Sequence, residues 1–350
     1  MAAPVVHFAR MPDGGRVAFH VLGKGPAVAL LFPYHVNHLT LNWRVPLHRG
    51  AIQFLARHFT VINLDFRGAG LSDPLNCELS LESLHDALGT VLAKVGVQAV
   101  GLCAMGAAGL IACHFASRTP HRVTRIVFIG SGESEANRQL LHIRHAAPDV
   151  EAELRGALLG GVGDKRNAVA LAHVARASLD PAALAQWEQL LEREKLLGLA
   201  AGVAAPALYL HAADDRLVPQ SAAEALVTRL ANAALKVVPG KSAMDVWRNR
   251  AAVHDVVAFL SAGQQHAHTV PVRPANRSRK ATYPAGLSER EVEVVRLLAQ
   301  GRTNRQIADD LFISLNTVSH HLRSIFSKTR ASNRTEAAAF AFQAGLATRR

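Results

Sequence analysis

Short apolar runs recur through the first two thirds of the chain, at residues 17–21, 27–32, 60–64, 99–103, 125–129, 207–211 and 235–238, and each is of strand length. Between them, apolar positions return at helical spacing over residues 47–58, 81–95, 109–118 and 251–260. Strands alternating with helices predict a mostly parallel sheet with helices on both faces. From Glu133 to Leu199 the strand runs stop and an Ala/Leu/Glu/Arg helical pattern takes over, which predicts a helical insertion. Its stripes, such as Leu154, Leu158 and Leu184, Trp187, Leu191, read as packing surfaces.

Beyond residue 262 the pattern changes twice. Residues 263–286 are polar, basic and proline-bearing with no apolar period, which predicts a linker. Residues 287–350 then read as a compact four-helix module. Ser288 and Glu291 form a capping box ahead of Val294, Val295, Leu297 and Leu298, and Gly301 stops that helix. Thr303 and Gln306 open a second helix, with Ile307, Ala308 and Leu311 on its buried side. Phe312 and Ile313 make a turn, and Ser314 caps a third helix reaching about Lys328, whose apolar face is Val318, Leu322, Ile325 and Phe326. A fourth helix, residues 334–344, ends at Gly345. Two short helices joined by a tight turn, the second with a polar, basic outer face, predict a helix-turn-helix.

Charge sharpens this division. The 350 residues are 49% hydrophobic and carry a formal +12, which excludes a disordered chain and suggests a polyanionic partner. Residues 265–350 hold 14 Lys and Arg against 6 Asp and Glu, so +8 of the +12 lies in the last quarter. The basic function is therefore local, and its expected partner is double-stranded DNA. Cys77, Cys103 and Cys113 have no metal or redox spacing, the opening residues carry no signal-like apolar block, and the longest apolar stretch, 99–113, is short of a membrane span. A reduced, cytoplasmic protein without membrane attachment is expected. The pairs His142/His145 and His266/His268 lack converging acidic or cysteine partners, so no metal and no cofactor is expected.

The C-terminal module resembles the LuxR-type DNA-binding domain over residues 287–346. The resemblance rests on Leu287-Ser288-x-Arg290-Glu291, Leu298-Ala299-x-Gly301, Asn304-x-x-Ile307-Ala308, Ser314-x-x-Thr317-Val318-x-x-His321 and Ile325-x-x-Lys328. It implies that the third helix enters the major groove and the fourth dimerises, giving a homodimer on two half-sites. Ser319, His320 and Arg323 then fall where the groove is contacted, with Thr317, Lys328 and Arg305 near phosphates. Ser319 stands where that family often has Lys or Arg, which weakens phosphate attraction there.

Residues 17–260 resemble an α/β hydrolase with a helical cap. Asp65-Phe-Arg67-Gly68-Ala-Gly70-Leu-Ser72-Asp73 resembles the D-x-R-G-x-G-x-S turn, the segment 208–219 around Asp215 resembles the acid-bearing strand end, and 115–127 resembles the helix and strand after the nucleophile elbow. Counting back from Pro120 by the spacing of that family puts the nucleophile position at Gly106, in Ala104-Met105-Gly106-Ala107-Ala108-Gly109. The acid position is Asp215, and the histidine position, after Pro239-Gly240, is Ala243. Neither nucleophile nor base is present, which implies no catalytic residue and no enzyme. A shifted elbow, Gly101-Leu-Cys103-Ala-Met105, offers Cys103 as a nucleophile, against which stands a small buried strand cysteine. Asp215 either serves the site or hydrogen-bonds its own loop.

A hydrolase pocket without its chemistry implies a small-molecule sensor coupled to DNA binding. Tyr34, His35, Asn37, Met105, Gly106, Asp215 and Trp247 are the expected ligand contacts, and an ester, a lactone or an acyl or aromatic compound suits such a pocket. The expected division is a ligand-sensing domain at 1–262, with its cap at 133–199, a linker at 263–286 and a DNA-binding domain at 287–350. Two other readings stay open: a hydrolase-like domain serving as a dimerisation or protein-interaction scaffold, and an active hydrolase with unusual residues.

Overall fold

The computed structural model describes residues 4–160, 164–179, 181–262, 283–310 and 315–346, which form two compact units, 4–262 and 283–346. The first unit is built on eight strands: β1 His7–Arg10, β2 Arg16–Leu22, β3 Ala27–Leu31, β4 Thr60–Asp65, β5 Val100–Met105, β6 Val123–Ile129, β7 Ala207–Ala212 and β8 Ala233–Val238. Their order is β1-β2-β4-β3-β5-β6-β7-β8, with β1 and β2 antiparallel and β3 to β8 parallel. The seven expected runs are all strands. β1 is an addition: only Ala9 of its four residues is buried, so it has no apolar run to betray it.

Every residue of β3, β4, β5 and β7 is buried, as parallel strands covered on both faces must be. Alternation along β5 divides the core. Leu102 and Ala104 face one cluster with Leu88, Ile111 and Phe115, while Cys103 and Met105 face another with Ile52, Leu55 and Val256. The helix Leu81–Val95 has its expected bounds. Ser80 and Ser83 cap each other reciprocally at its start, and Gly96 takes the left-handed conformation, φ 81°, at its end.

The insertion is helical as expected, with helices Glu135–Ala146, Pro148–Gly160, Lys165–Ser178, Pro181–Arg193 and Leu196–Ala200. Trp187 and Leu184 are buried, but Leu154 is 42% exposed, so that part of the stripe points to solvent instead of packing.

In the second unit the helices are Glu289–Ala299, Asn304–Asp310, Leu315–Thr329 and Arg334–Gln343, around a core of Val294, Val295, Leu298, Ile307, Val318, Leu322 and Ile325. Both expected capping boxes form. Ser288 and Glu291 exchange hydrogen bonds at 2.6 and 3.3 Å, and Thr303 and Gln306 at 2.8 and 3.2 Å. Gly301 and Gly345, at φ 81° and 67°, follow their helices as expected. The linker stretch 263–282, Leu311, the Phe312-Ile313 turn and the Ser314 cap lie outside the described residues. Among the described residues no helix is long and apolar enough to cross a membrane.

Candidate functional site

Strands β3 to β8 run in one direction, so their carboxyl ends and the loops after them gather at one edge of the sheet. That edge is where an open α/β sheet offers its crevice. A cavity enclosing about 1200 Å³, its open mouth included, lies there beneath the insertion helices. Gly106 follows β5 at φ +51°, its N–H bonded to Ile129 O at 2.9 Å, and the helix Ala108–Arg118 starts two residues later. This is a sharp strand-to-helix turn in the left-handed region. A Cβ at 106 would meet Pro33 Cγ at 3.2 Å, closer than ordinary contact, so a side chain there is strained at this φ and needs Pro33 to give way.

Gly106, Asp215 and Ala243 all line the same cavity. Asp215 Oδ1 accepts from Leu217 N at 2.9 Å and Val218 N at 3.1 Å, whereas Oδ2 has no hydrogen-bond partner. The loop-bonding option is thus observed, with one oxygen holding the loop and the other without a partner among the described residues. Burial pushes its carboxyl above the usual range, against the pull of those two N–H groups and weaker pulls from His211 and the Ala243 backbone. Ala243 begins the turn Ala243–Trp247 and carries no titratable group. Cys103 is fully buried inside β5, paired in register with Leu30 and Val127, and burial pushes its thiol up to about 12. That removes the shifted elbow, since a nucleophile must be exposed at the turn and ionise.

Of the seven expected ligand contacts, His35, Met105, Gly106 and Asp215 line the cavity, and Tyr34, Asn37 and Trp247 do not. Tyr34 is turned inward, its hydroxyl donating to Arg67 O at 2.5 Å. Asn37 is buried and donates to Leu64 O and Asp65 Oδ1 at 2.7 and 3.1 Å. Trp247 packs behind Met105, with Nε1 3.4 Å from the thioether sulfur.

Two histidines reach the cavity. His35 Nδ1 accepts from Trp187 Nε1 at 3.1 Å, which assigns its proton to Nε2, and burial followed by Arg155 and Arg144 holds it well below the usual imidazole range. His48 had not been expected in the site. Its Nδ1 donates to Asn42 Oδ1 at 3.2 Å, Asn42 donates to Asn37 at 2.6 Å, and Asn37 donates to Asp65, forming one buried chain. Burial lowers His48 to about 3, so both imidazoles are neutral at physiological pH. The other addition is a charge cluster in the cap. Arg155 lines the cavity and its Nε donates to Glu151, with Arg144 3.9 Å from the same carboxylate. In the sequence Glu151 and Arg155 look like an ordinary surface i,i+4 pair, and only the tertiary fold reveals that both are buried.

In the second unit, Arg305, His320 and Arg323 are exposed, and Thr317 and Ser319 are half-buried. The Ser319 hydroxyl donates back to Leu315 O at 2.9 Å, as a serine within a helix commonly does. Lys328, expected near phosphate, places Nζ 2.7 Å from Glu291 Oε2, and Ser324 donates to Oε1 at 2.5 Å. Although burial opposes it, these bonds and those of Ser288 hold Glu291 down to about 2. Lys328 thereby joins the first helix of the unit to the third.

Residues 285–341 match the family model of bacterial regulatory proteins of the luxR family, and residues 40–159 match that of the alpha/beta hydrolase fold. The transcriptional regulatory protein LiaR of Bacillus subtilis is 46% identical over 55 residues, 16% of this chain and 26% of LiaR. An uncharacterized protein of Mycobacterium tuberculosis is 30% identical over 132 residues, 38% of this chain and 36% of its own length. The chain therefore spans less than half the length of these curated relatives. The esterase RhEst1 of a Rhodococcus species superposes with a TM-score of 0.64 at 19% identity, covering 74% of this chain and 99% of the esterase, a likeness of fold. The chain joins an α/β-hydrolase domain to a C-terminal domain of the luxR family of bacterial regulatory proteins.

Proposed function

We propose that this protein is a DNA-binding transcriptional regulator whose α/β-hydrolase domain binds a small molecule without hydrolysing it. The observation that carries the reading is the pairing of Gly106 and Ala243 with Asp215 around one cavity. The elbow keeps its backbone shape, yet it has no oxygen or sulfur to attack with, and the position after β8 that would carry the base is Ala243. His211, the imidazole that feels the Asp215 charge, lies within β7 and is not part of the cavity lining. His35 and His48, the imidazoles on the wall, are both held neutral, and neither is hydrogen-bonded to Asp215. In this reading residues 1–262 sense the ligand, 263–286 link, and 287–350 bind double-stranded DNA. Arg323, His320 and Ser319 lie toward the groove, with Arg305, Thr317 and Lys328 toward phosphate. The regulator works as a homodimer in the cytoplasm, where its DNA is.

Native mass spectrometry of the full chain purified from its own host, followed by denaturing extraction, tests the ligand. A stoichiometric small molecule released on unfolding supports the reading. An empty cavity, with no stabilisation by metabolites in a screen, transfers the domain to a scaffolding role, and ester turnover by the purified protein overturns the non-enzyme claim.

A further inference from the structure

Arg155 lies on the insertion helix Pro148–Gly160, lines the cavity and is only 2% exposed. Its Nε is bonded to Glu151 and its Nη1 donates to Asn137 Oδ1 at 3.3 Å, but Nη2 has no hydrogen-bond partner among the described residues. A guanidinium does not lose its proton in a protein, so this buried donor carries the full cost of desolvation until something accepts from it. Glu151 does not supply the acceptor. It is fully buried, its Oε1 takes Arg155 Nε, and its Oε2 lies 3.9 Å from Arg144 with no hydrogen-bond partner among the described residues, while Arg144 Nη1 and Nη2 donate to His35 O and Ala175 O. Half-buried Glu188 also attracts Arg144, and neutral His35 adds no charge. The charged side chains at the mouth, Glu133, Arg138, Glu194 and Lys195, are balanced in sign. Asp215, which lines the same cavity from the loop after β7, also has an oxygen, Oδ2, without a partner among the described residues, and much of the remaining lining is apolar, including Met105, Leu141 and Leu171.

We infer that the cavity takes an organic acid, with its carboxylate against Arg155, its apolar body along Met105 and Leu171, and a hydroxyl or similar donor against Asp215. The inference rests on the reading that this domain binds a small molecule and leaves it intact. A carboxylate makes a charge-assisted bond with the spare N–H, whereas an ester or lactone carbonyl is a neutral and weaker acceptor. The chemical class is therefore that of the acid product of an esterase, distinct from its substrate.

The test is calorimetric titration of the full chain with octanoate, 3-hydroxyoctanoate and phenylacetate, each beside its methyl ester. The acids should bind at least tenfold more tightly than their esters, and the hydroxy acid more tightly than octanoate. Removing Arg155 alone leaves Glu151 with Arg144 at 3.9 Å as its one counter-charge among the described residues, so the informative variant is Glu151→Gln with Arg155→Met, which removes both charges of the close pair. Arg155→Lys retains charge without the fork of donors. The double variant should bind the acids at least tenfold more weakly and lose the preference for acid, with Arg155→Lys between it and the wild type. Equal binding of acids and esters, or a preference that survives in the double variant, overturns the assignment while leaving a ligand-binding domain. Binding of neither class also overturns it, and the extract of the host-purified protein decides separately whether any small molecule is bound.

Discussion

The cavity wall and the outer face of helix Leu315–Thr329 both carry arginine, and the two regions use it in opposite ways. Arg144 and Arg155 are buried, and their donors are directed at individual atoms of Glu151, Asn137, His35 and Ala175. Arg323 is exposed, with a long 3.5 Å contact to Ser319 O as its one hydrogen bond among the described residues. A desolvated charge is worth what its particular partners supply, so its chemistry is specific and hardly screened. A solvated charge adds to a field, which suits a polyanion and weakens with salt. In the proposed reading the same residue type gives selectivity in one unit and salt-dependent attraction in the other.

The comparison breaks first, if it is wrong, at the buried pair. Arg155→Met should destabilise the hydrolase domain by about 3–5 kcal/mol, since Glu151 then keeps only Arg144 at 3.9 Å, and adding Glu151→Gln should restore part of it, with Arg144 left to Glu188. Chemical denaturation of both variants measures this, and equal stabilities would mean that the cluster is solvated. Next comes His20, buried on β2 with neither ring nitrogen partnered, which burial lowers to about 4. The unfolded chain binds a proton near 6.5 while the folded one resists, so stability is full above about pH 6.5 and falls as pH drops towards 4. His20→Leu removes that loss. Relative to wild type it should gain about 2.5 kcal/mol on going from pH 7.5 to 4.5, read from unfolding midpoints.

The exposed side of the comparison is sharpened by a smaller effect. Arg323→Ala should weaken DNA binding by about 1–2 kcal/mol and reduce the salt slope by about 1, as seen in titrations at several salt concentrations. Unchanged binding would remove Arg323 from the interface. The smallest expected effect is none at all: Gly106→Ser should yield no acyl-enzyme with an activated ester, because Ala243 supplies no base. Detectable acylation by mass spectrometry would contradict the assignment of the base position.

Much of this was legible in the sequence, for identifiable reasons. Strands buried on both faces are uninterrupted apolar runs, and capping boxes such as Ser288/Glu291 are local, so both can be read without tertiary information. Gly106, Asp215 and Ala243 could be located because turn motifs fix their distance from Pro120, Pro219 and Pro239. Side-chain direction could not. Tyr34 and Asn37 are on the expected loop, but the D-x-R-G turn, remote in sequence, offers Arg67 O and Asp65 as partners and draws them away from the cavity. Nor could the burial of Arg155, whose spacing from Glu151 is the same on a solvated helix. β1, with one buried residue in four, leaves no periodic trace at all.

Gly106 and Ala243 follow different strands, β5 and β8, and this separation has a consequence for descent. A serine arising at 106 would find no imidazole to activate it, and a histidine arising at 243 would find no hydroxyl to serve. Either change alone intrudes on the cavity without yielding turnover, so selection has no intermediate to favour. In the proposed reading the route to hydrolysis runs through two coincident substitutions, one after β5 and one after β8, and neither is favoured before the other is present.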